Sequence, residues 1–123
     1  MSKYTFVVLS NPTPGKETEY NEWYNKVHIP DVLNVPGFVA ARRFRLTDAQ
    51  FGNYAARSHR YLALYEIETD DIKGSLNELQ KRIGTADMVI SDGIDMRGVS
   101  ATVFTPVAER VQAKDVRRPR HAA

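Results

Sequence analysis

The chain has 123 residues, of which 42% are hydrophobic and 26% charged, a size and composition typical of one globular domain. The absence of cysteine excludes disulfides, thiolate metal sites and a cysteine nucleophile. Residues 1–108 carry 12 basic and 13 acidic side chains (net −1), and residues 109–123 carry 5 and 2 (net +3), so the excess positive charge belongs to the tail. Because the tail has no aromatic residue and the rest of the chain is nearly neutral, nucleic-acid binding is not expected.

The first third of the chain predicts a strand, a loop and an amphipathic helix. The run KYTFVVLS (3–10) is rich in strand formers, and NPTPGK (11–16) has the prolines and glycine of a loop. Acidic residues at the start of ETEYNEWYNKVH (17–28) favour a helix N-terminus. Its large apolar side chains recur on one helical face: Tyr20, Trp23, Tyr24 and Val27.

Pro30 governs where this helix is expected to end. Proline disfavours helical geometry in the residue before it, here Ile29, so we expect the regular helix to stop near His28. Proline is accepted at a first helical position, so PDVLNV (30–35) is expected to add one more turn.

The rest of the chain predicts strand, strand, helix and strand. GFVAARRFRLTD (37–48) and YLALYEIE (61–68) read as strands joined by an irregular connection. Alternation in the first of them places Phe38, Ala40, Arg42 and Phe44 on one face. Residues 70–84 form an amphipathic helix with a seam of Ile72, Leu76, Leu79 and Ile83. An irregular segment, 85–98, then precedes the strand VSATVFTPV (99–107).

The order β-α-β-β-α-β predicts a ferredoxin-like α+β domain over residues 1–108, with two helices on one face of a four-stranded antiparallel sheet. The other sheet face would expose Val, Ala, Tyr and Phe side chains, more apolar surface than a monomer usually leaves wet. We therefore expect a homodimer in which two sheets pack face to face as a dimeric α/β barrel. The basic tail, 109–123, is expected to be a solvated end or an arm over the partner subunit.

Membrane and targeting signals are not expected. No apolar run approaches the roughly 18 to 20 residues that cross a bilayer, and MSKYTFVVLS (1–10) is too short and strand-like for a signal peptide. A cytoplasmic protein without a membrane partner is the expectation.

The sequence has few groups that would carry chemistry, and no nucleotide-binding, zinc-protease or serine-hydrolase motif. Of the histidines His28, His59 and His121, only His28 has a close acidic neighbour, Asp31, which is too little for a metal site. We expect no metal and no cofactor. A haem would need His28 or His59 as its axial ligand, and neither is favoured by spacing.

The favoured site lies where the ring-bearing helix face meets small strand residues. A gap there would form an apolar pocket with His28 at its rim. Burial lowers and the helix C-terminus raises the pKa of His28, so it is expected to act as an acid or base near neutrality. Catalytic roles are predicted for His28, Tyr24 and Asp31, and Asp31 would fix the tautomer of the imidazole. Substrate contact is predicted for Tyr20, Trp23, Phe38 and Tyr65.

Structural alternatives stay open for each of these residues. His28 would otherwise cap the helix end, the rings would be core, and Asp31 would be a charge at the start of a turn. By alternation at least one arginine of Arg42, Arg43 and Arg45 points inward, to bind a carboxylate substrate or to pair with Glu66 or Glu68. His59 is expected at the surface, and His121 carries no assigned role.

The run YNEWYNKVHIPDVLNVPGFVAARRF (20–44) followed by RYLALYEIE (60–68) resembles the EthD-like proteins of the dimeric α/β-barrel superfamily. In that family a helix ends in a histidine, a proline follows, and a Pro-Gly turn leads into the second strand, here His28, Pro30 and Pro36-Gly37. The resemblance covers residues 3–107. It implies the ferredoxin-like fold, a homodimer, and His28 as the polar group of the pocket.

The resemblance implies a range of activities rather than one. Relatives include decarboxylases and cyclases of aromatic polyketides and cofactor-free monooxygenases. The expected function is therefore cofactor-independent acid–base chemistry on a small aromatic or polyketide-like compound. The alternatives are a non-catalytic binding or accessory protein for a hydrophobic metabolite, and a cofactor-free monooxygenase.

Overall fold

The computed structural model describes residues 1–116 and has the predicted order of elements. The sheet order is β2-β3-β1-β4, with every neighbouring pair antiparallel. This is the ferredoxin-like arrangement, and it confirms the predicted fold class. The elements are β1 (Ser2–Ser10), α1 (Glu17–Trp23), a π-helical turn (Tyr24–His28), α2 (Ile29–Leu33), β2 (Phe38–Arg45), β3 (Tyr61–Thr69), α3 (Ile72–Arg82), 3-10 turns (Met96–Gly98 and Ala113–Asp115) and β4 (Ser100–Phe104).

The first helix does not end at His28, and that expectation was wrong. Residues 23, 24, 28 and 29 all have right-handed helical dihedral angles, so α1 passes through the π-helical turn into α2. In this turn the Ile29 amide donates to the carbonyl of Tyr24, five residues back. Pro30 has no amide hydrogen, and its ring would clash with the carbonyl four residues earlier in a regular α-helix. The wider turn accommodates the proline without breaking the helix.

A β-bulge changes the predicted faces of β2. The register shifts between Phe38, which lies opposite Ile67, and Ala40, which lies opposite Glu66. Because the bulge inserts one residue, Phe38 joins the helix-covered face with Arg43, while Ala40, Arg42 and Phe44 lie on the open face. The prediction that Phe38 shares a face with these three residues was wrong.

Helix α3 forms as predicted, and the Asp71 carboxylate caps its first turn by accepting from the Gly74 amide at 2.9 Å. The irregular segment 84–99 then returns to the domain and packs against the start of the chain. The Thr13 amide donates to the Gly93 carbonyl at 2.7 Å, and the Asp95 amide donates to the Asn11 carbonyl at 2.9 Å. This segment therefore forms a wall of the domain.

The core lies between the helices and the covered sheet face. Its largest fully buried side chains are Tyr20, Tyr24, Tyr65, Ile67, Met88, Val32 and Val35. None of the helices in residues 1–116 combines the length and the apolar composition needed to cross a bilayer. The last seven tail residues, including His121, lie outside the described part of the chain, so the predictions for them stay predictions.

Candidate functional site

An apolar cavity of about 100 Å³ lies between the first helix, α3 and the covered face of the sheet. Its polar lining groups come from His28, Tyr24, Trp23 and Tyr65. The mouth is marked by Met96 and Ile83, which line the cavity and are also exposed. The remaining walls are Phe6, Val8, Val32, Leu79, Ile90, Ile94, Val99 and Ala101.

His28 lies at the edge of this cavity, as predicted, with its ring held between two aromatic side chains. Trp23 stacks on it with ring centroids 4.7 Å apart, and Tyr24 meets it edge-on at 5.0 Å. The residue is half-buried, while its Nδ1 atom is fully buried and has no hydrogen-bond partner. A buried polar atom without a partner is unfavourable unless a ligand supplies one, so Nδ1 is a candidate contact atom.

The electrostatic surroundings of His28 favour the neutral imidazole. Burial, and secondarily the positive charge of Arg43, lower the pKa of His28 to about 4. The predicted balance between burial and the helix terminus does not arise, because the helix continues past this residue. At pH 7 the ring is uncharged, so it can accept a proton, whereas the general-acid role would require a protonated ring.

Tyr65 supplies the second unsatisfied polar atom of the cavity. Its hydroxyl is buried and lacks a partner, and burial raises the pKa of Tyr65 well above its usual range. Burial likewise raises the pKa of Tyr24 to about 12. Both phenols are protonated at neutral pH, so each can donate a hydrogen bond to a ligand oxygen.

Arg43 is the inward-pointing arginine that the sequence anticipated without identifying which one it was. Its guanidinium lies 4.2 Å from the centre of the Tyr24 ring, and it is not among the residues that line the cavity. It donates to the side-chain oxygens of Asn25 at 2.7 Å and Asn21 at 2.9 Å. The expected salt bridge to Glu66 or Glu68 was wrong, because Arg43 lies opposite Ala63 on the covered sheet face, whereas both glutamates lie on the open face.

Three of the predicted site residues lie away from the cavity. Tyr20 is 0% exposed and shares a hydrogen bond of 2.6 Å with Ser10, so it is a core residue. The bulge in β2 turns Phe38 into the core, where it packs on Phe6 and Tyr65. Asp31 makes no hydrogen bond to His28, whose Nδ1 is free, so it does not fix the imidazole tautomer.

The sequence did not predict the wall formed by residues 90–99. The segment has no periodic pattern, and its contribution depends on contacts with distant parts of the chain. Just before this segment, the Trp23 indole donates to the Val89 carbonyl at 3.1 Å. The helix seam of Leu79 and Ile83 was recognised, but nothing in the sequence indicates that it faces a cavity.

Metal and haem ligation were tested on the same geometry. In residues 1–116 no three histidine, aspartate or glutamate side chains come together as a metal site requires. His59 is half-buried, and both of its ring nitrogens are engaged, with Ser58 Oγ at 3.0 Å and the Gly98 carbonyl at 2.5 Å. It is therefore not an open ligand.

Comparison with known proteins supports the fold. No protein-family model and no curated protein matches the sequence. The haem degrader MhuD of Mycobacterium tuberculosis, solved with two haems in its active site, is 16% identical with a TM-score of 0.58, over 88% of this chain and 99% of that one. A Streptomyces coelicolor monooxygenase solved with nanaomycin D is 14% identical with a TM-score of 0.53, over 91% and 93%.

This chain has the ferredoxin-like fold. An EthD family protein of Bacillus halodurans is also among the similar structures, 13% identical with a TM-score of 0.48 over 87% of this chain and 100% of that one. At these identities the likeness concerns the fold, and the reaction has to be argued from the site.

Proposed function

We propose that this protein is a small-molecule enzyme that uses His28 for cofactor-independent acid–base chemistry on a small aromatic or polyketide-like compound. The observation that carries the proposal is the pair of buried, unpartnered polar atoms, His28 Nδ1 and Tyr65 Oη, in one apolar cavity. Native interiors rarely leave such atoms unpaired, and functional sites are a recognised exception.

The proposed chemistry follows from the protonation states of these groups. Neutral His28 accepts a proton from a C–H or O–H bond of the substrate, while the Tyr65 hydroxyl donates to the oxygen on which negative charge develops. Tyr24 supplies a second phenol at the same wall. Proton transfers of this kind begin decarboxylations, cyclisations and isomerisations of aromatic carbonyl compounds.

The size of the cavity limits the ligand. A dry cavity of about 150 Å³ holds one benzene molecule, so the space of about 100 Å³ is smaller than a single ring requires. A one-ring ligand would enter by displacing the exposed side chains at the mouth, Met96 and Ile83. Haem, with four pyrrole rings, does not fit this space.

A cofactor-free monooxygenase is the second candidate for the same site. The same neutral base would remove a proton from a one-ring hydroquinone, and the resulting anion would react with molecular oxygen. The similar Streptomyces protein is a monooxygenase solved with nanaomycin D, which favours testing this candidate. Oxygen uptake with a hydroquinone distinguishes it from decarboxylation or cyclisation.

The test is the replacement of His28 by alanine, with turnover measured on one-ring phenolic acids and hydroquinones. We expect a loss of about a hundredfold or more, the usual contribution of a general base. His59→Ala is the matched control because that histidine lies outside the cavity. Turnover that survives in a folded His28→Ala variant contradicts the proposal. Saturable binding without any product favours the non-catalytic binding protein instead.

We also propose that the open face of the sheet pairs with a second copy of the chain. On that face the central strands carry Val7, Leu9, Leu62 and Leu64, while Phe104 remains 55% exposed. Leu64→Glu should convert a dimer to a monomer in sedimentation velocity. Val27→Glu, which adds the same charge on the exposed side of the helix, should leave the mass unchanged. A wild-type monomer at high concentration contradicts the pairing.

A further inference from the structure

Arg43 is a half-buried positive charge enclosed by aromatic rings. Besides the Tyr24 ring at 4.2 Å, its guanidinium lies 5.2 Å from the Tyr20 ring and 5.4 Å from the Tyr61 ring. Its side-chain hydrogen bonds go to the amide oxygens of Asn21 and Asn25, which carry no charge. In the described part of the chain no carboxylate forms an ion pair with it. Its charge is therefore not neutralised locally.

Within residues 1–116, the cavity that Tyr24 lines has no charged side chain in its walls. The titratable groups that face His28 are Tyr24 from its own helix, Tyr65 from β3 and Arg43 from β2. The lining residues of β1, α3, β4 and the segment 90–99 are all apolar. Arg43 lies 4.2 Å from the Tyr24 ring, and that ring lies 5.0 Å from His28, so the charge is no more than about 9 Å from the imidazole.

We infer that the positive charge of Arg43, next to the Tyr24 ring, controls the protonation state of groups in the cavity. As a result, the cavity binds its ligand, a small phenol or enol, as the anion. An unpaired positive charge beside a dry hollow favours a negative group within it and disfavours a positive one. The Tyr65 hydroxyl then donates to the oxyanion in a charge-assisted hydrogen bond. This inference depends on the proposed site but not on any particular reaction.

The proton balance of the binding step is simple. The O–H bond of the ligand breaks, both electrons stay on the oxygen, and the proton passes to water. Nothing is oxidised or reduced. Arg43 touches neither the ligand nor the proton, so it is a positioning residue that acts through the field it adds to the cavity.

The experiment measures the binding of 4-nitrophenol, whose absorbance distinguishes the phenol from the phenolate. A unit charge about 9 Å away changes an ionisation constant by on the order of tenfold at an effective dielectric constant of about 20. We expect the wild type to bind 4-nitrophenolate in preference to the phenol, and Arg43→Gln to reduce that preference about tenfold. Arg45→Gln, an exposed position on the same strand, is the matched control and should change it less than twofold.

Two further variants separate charge from structure. Arg43→Lys retains the positive charge and should keep most of the preference. Asn25→Asp leaves Arg43 in place but gives it an anionic partner at an exposed position, so it should reduce the preference as Arg43→Gln does. Asn25→Asp also serves if Arg43→Gln fails to fold. If wild type, Arg43→Gln and Asn25→Asp all show the same preference for 4-nitrophenolate over 4-nitrophenol, the inference is wrong. It is also wrong if Arg43→Lys loses that preference as Arg43→Gln does.

Titration of the His28 imidazole by NMR provides the second readout. Removing the Arg43 charge should raise the ratio of protonated to neutral His28 about tenfold at a given pH, whether or not the protein turns anything over. If this shift and the anion preference are present while His28→Ala retains full turnover, the proposed base is wrong and the inference on Arg43 stands. If both are absent while His28→Ala is inactive, Arg43 has no such role and the proposed base stands.

Discussion

Replacing Tyr65 with phenylalanine is expected to stabilise the protein, whereas the same change at Tyr20 is expected to destabilise it. The Tyr65 hydroxyl is buried without a partner, and such a group costs about 1 to 3 kcal/mol of stability. Removing it should raise the free energy of unfolding by about 1 kcal/mol. The Tyr20 hydroxyl bonds Ser10 Oγ at 2.6 Å in the core. Its removal leaves the buried Ser10 hydroxyl unpaired and should cost about 1 to 3 kcal/mol.

Urea unfolding followed by circular dichroism measures both variants at one pH. The slope of the free energy against urea should stay constant, so that a shift in the midpoint reports stability alone. In thermal unfolding, 1 kcal/mol corresponds to roughly 4 °C for a domain of this size. A destabilised Tyr65→Phe variant would refute the assignment of an unpaired hydroxyl. The stabilised variant should also bind 4-nitrophenolate more weakly, because the donor to the oxyanion is gone.

Further predictions concern pH, backbone packing and the indole of Trp23. The His28 side chain gains a proton near pH 6.5, its usual pKa, in the unfolded chain, but only near pH 4 in the folded protein. The free energy of unfolding is therefore highest above pH 6.5 and should fall by up to about 3 kcal/mol as the pH drops toward 4. His28→Gln should flatten that decline in urea unfolding, and an unchanged slope contradicts the lowered pKa. A Cβ on Gly93 would lie 3.1 Å from the Tyr20 amide nitrogen, so Gly93→Ala should destabilise by about 1 to 3 kcal/mol, whereas Gly98→Ala meets open space and should change stability by less than about 0.5 kcal/mol. Trp23→Phe loses the hydrogen bond to the Val89 carbonyl, just before residues 90–99, and should increase amide hydrogen exchange in that segment. Equal exchange in both proteins contradicts a role for this bond in holding the segment in place.

Much of the fold was predictable because it depends on local patterns. Alternation in residues 61–68 and the seam of the second helix gave elements whose order permits few arrangements. The two errors came from single residues whose effect depends on geometry. Pro30 widened a helical turn instead of ending the helix, and the bulge at residue 39 moved Phe38 to the other sheet face. Neither event changes the hydrophobic pattern that the predictions used.

The site was predictable only in part, for a related reason. His28, Trp23 and Tyr24 are close in sequence, so their shared helical face brings them to one wall of the cavity. Arg43 meets Tyr24 only because β2 lies beneath the helix, and the wall at 90–99 is irregular. Asp31, predicted from sequence proximity alone, does not contact the imidazole. Proximity in sequence therefore identified the wall made by one element and failed for partners that the tertiary fold supplies.

The central claim is that the His28 imidazole faces a cavity that accepts a small aromatic ligand. The most direct measurement is the ¹⁵N spectrum of the three histidine side chains during titration with 4-nitrophenol. We predict a saturable shift of the His28 Nδ1 resonance, absent from the Tyr65→Phe variant or much weaker in it, and no shift for His59. A His28 resonance that stays fixed up to millimolar ligand would contradict the account.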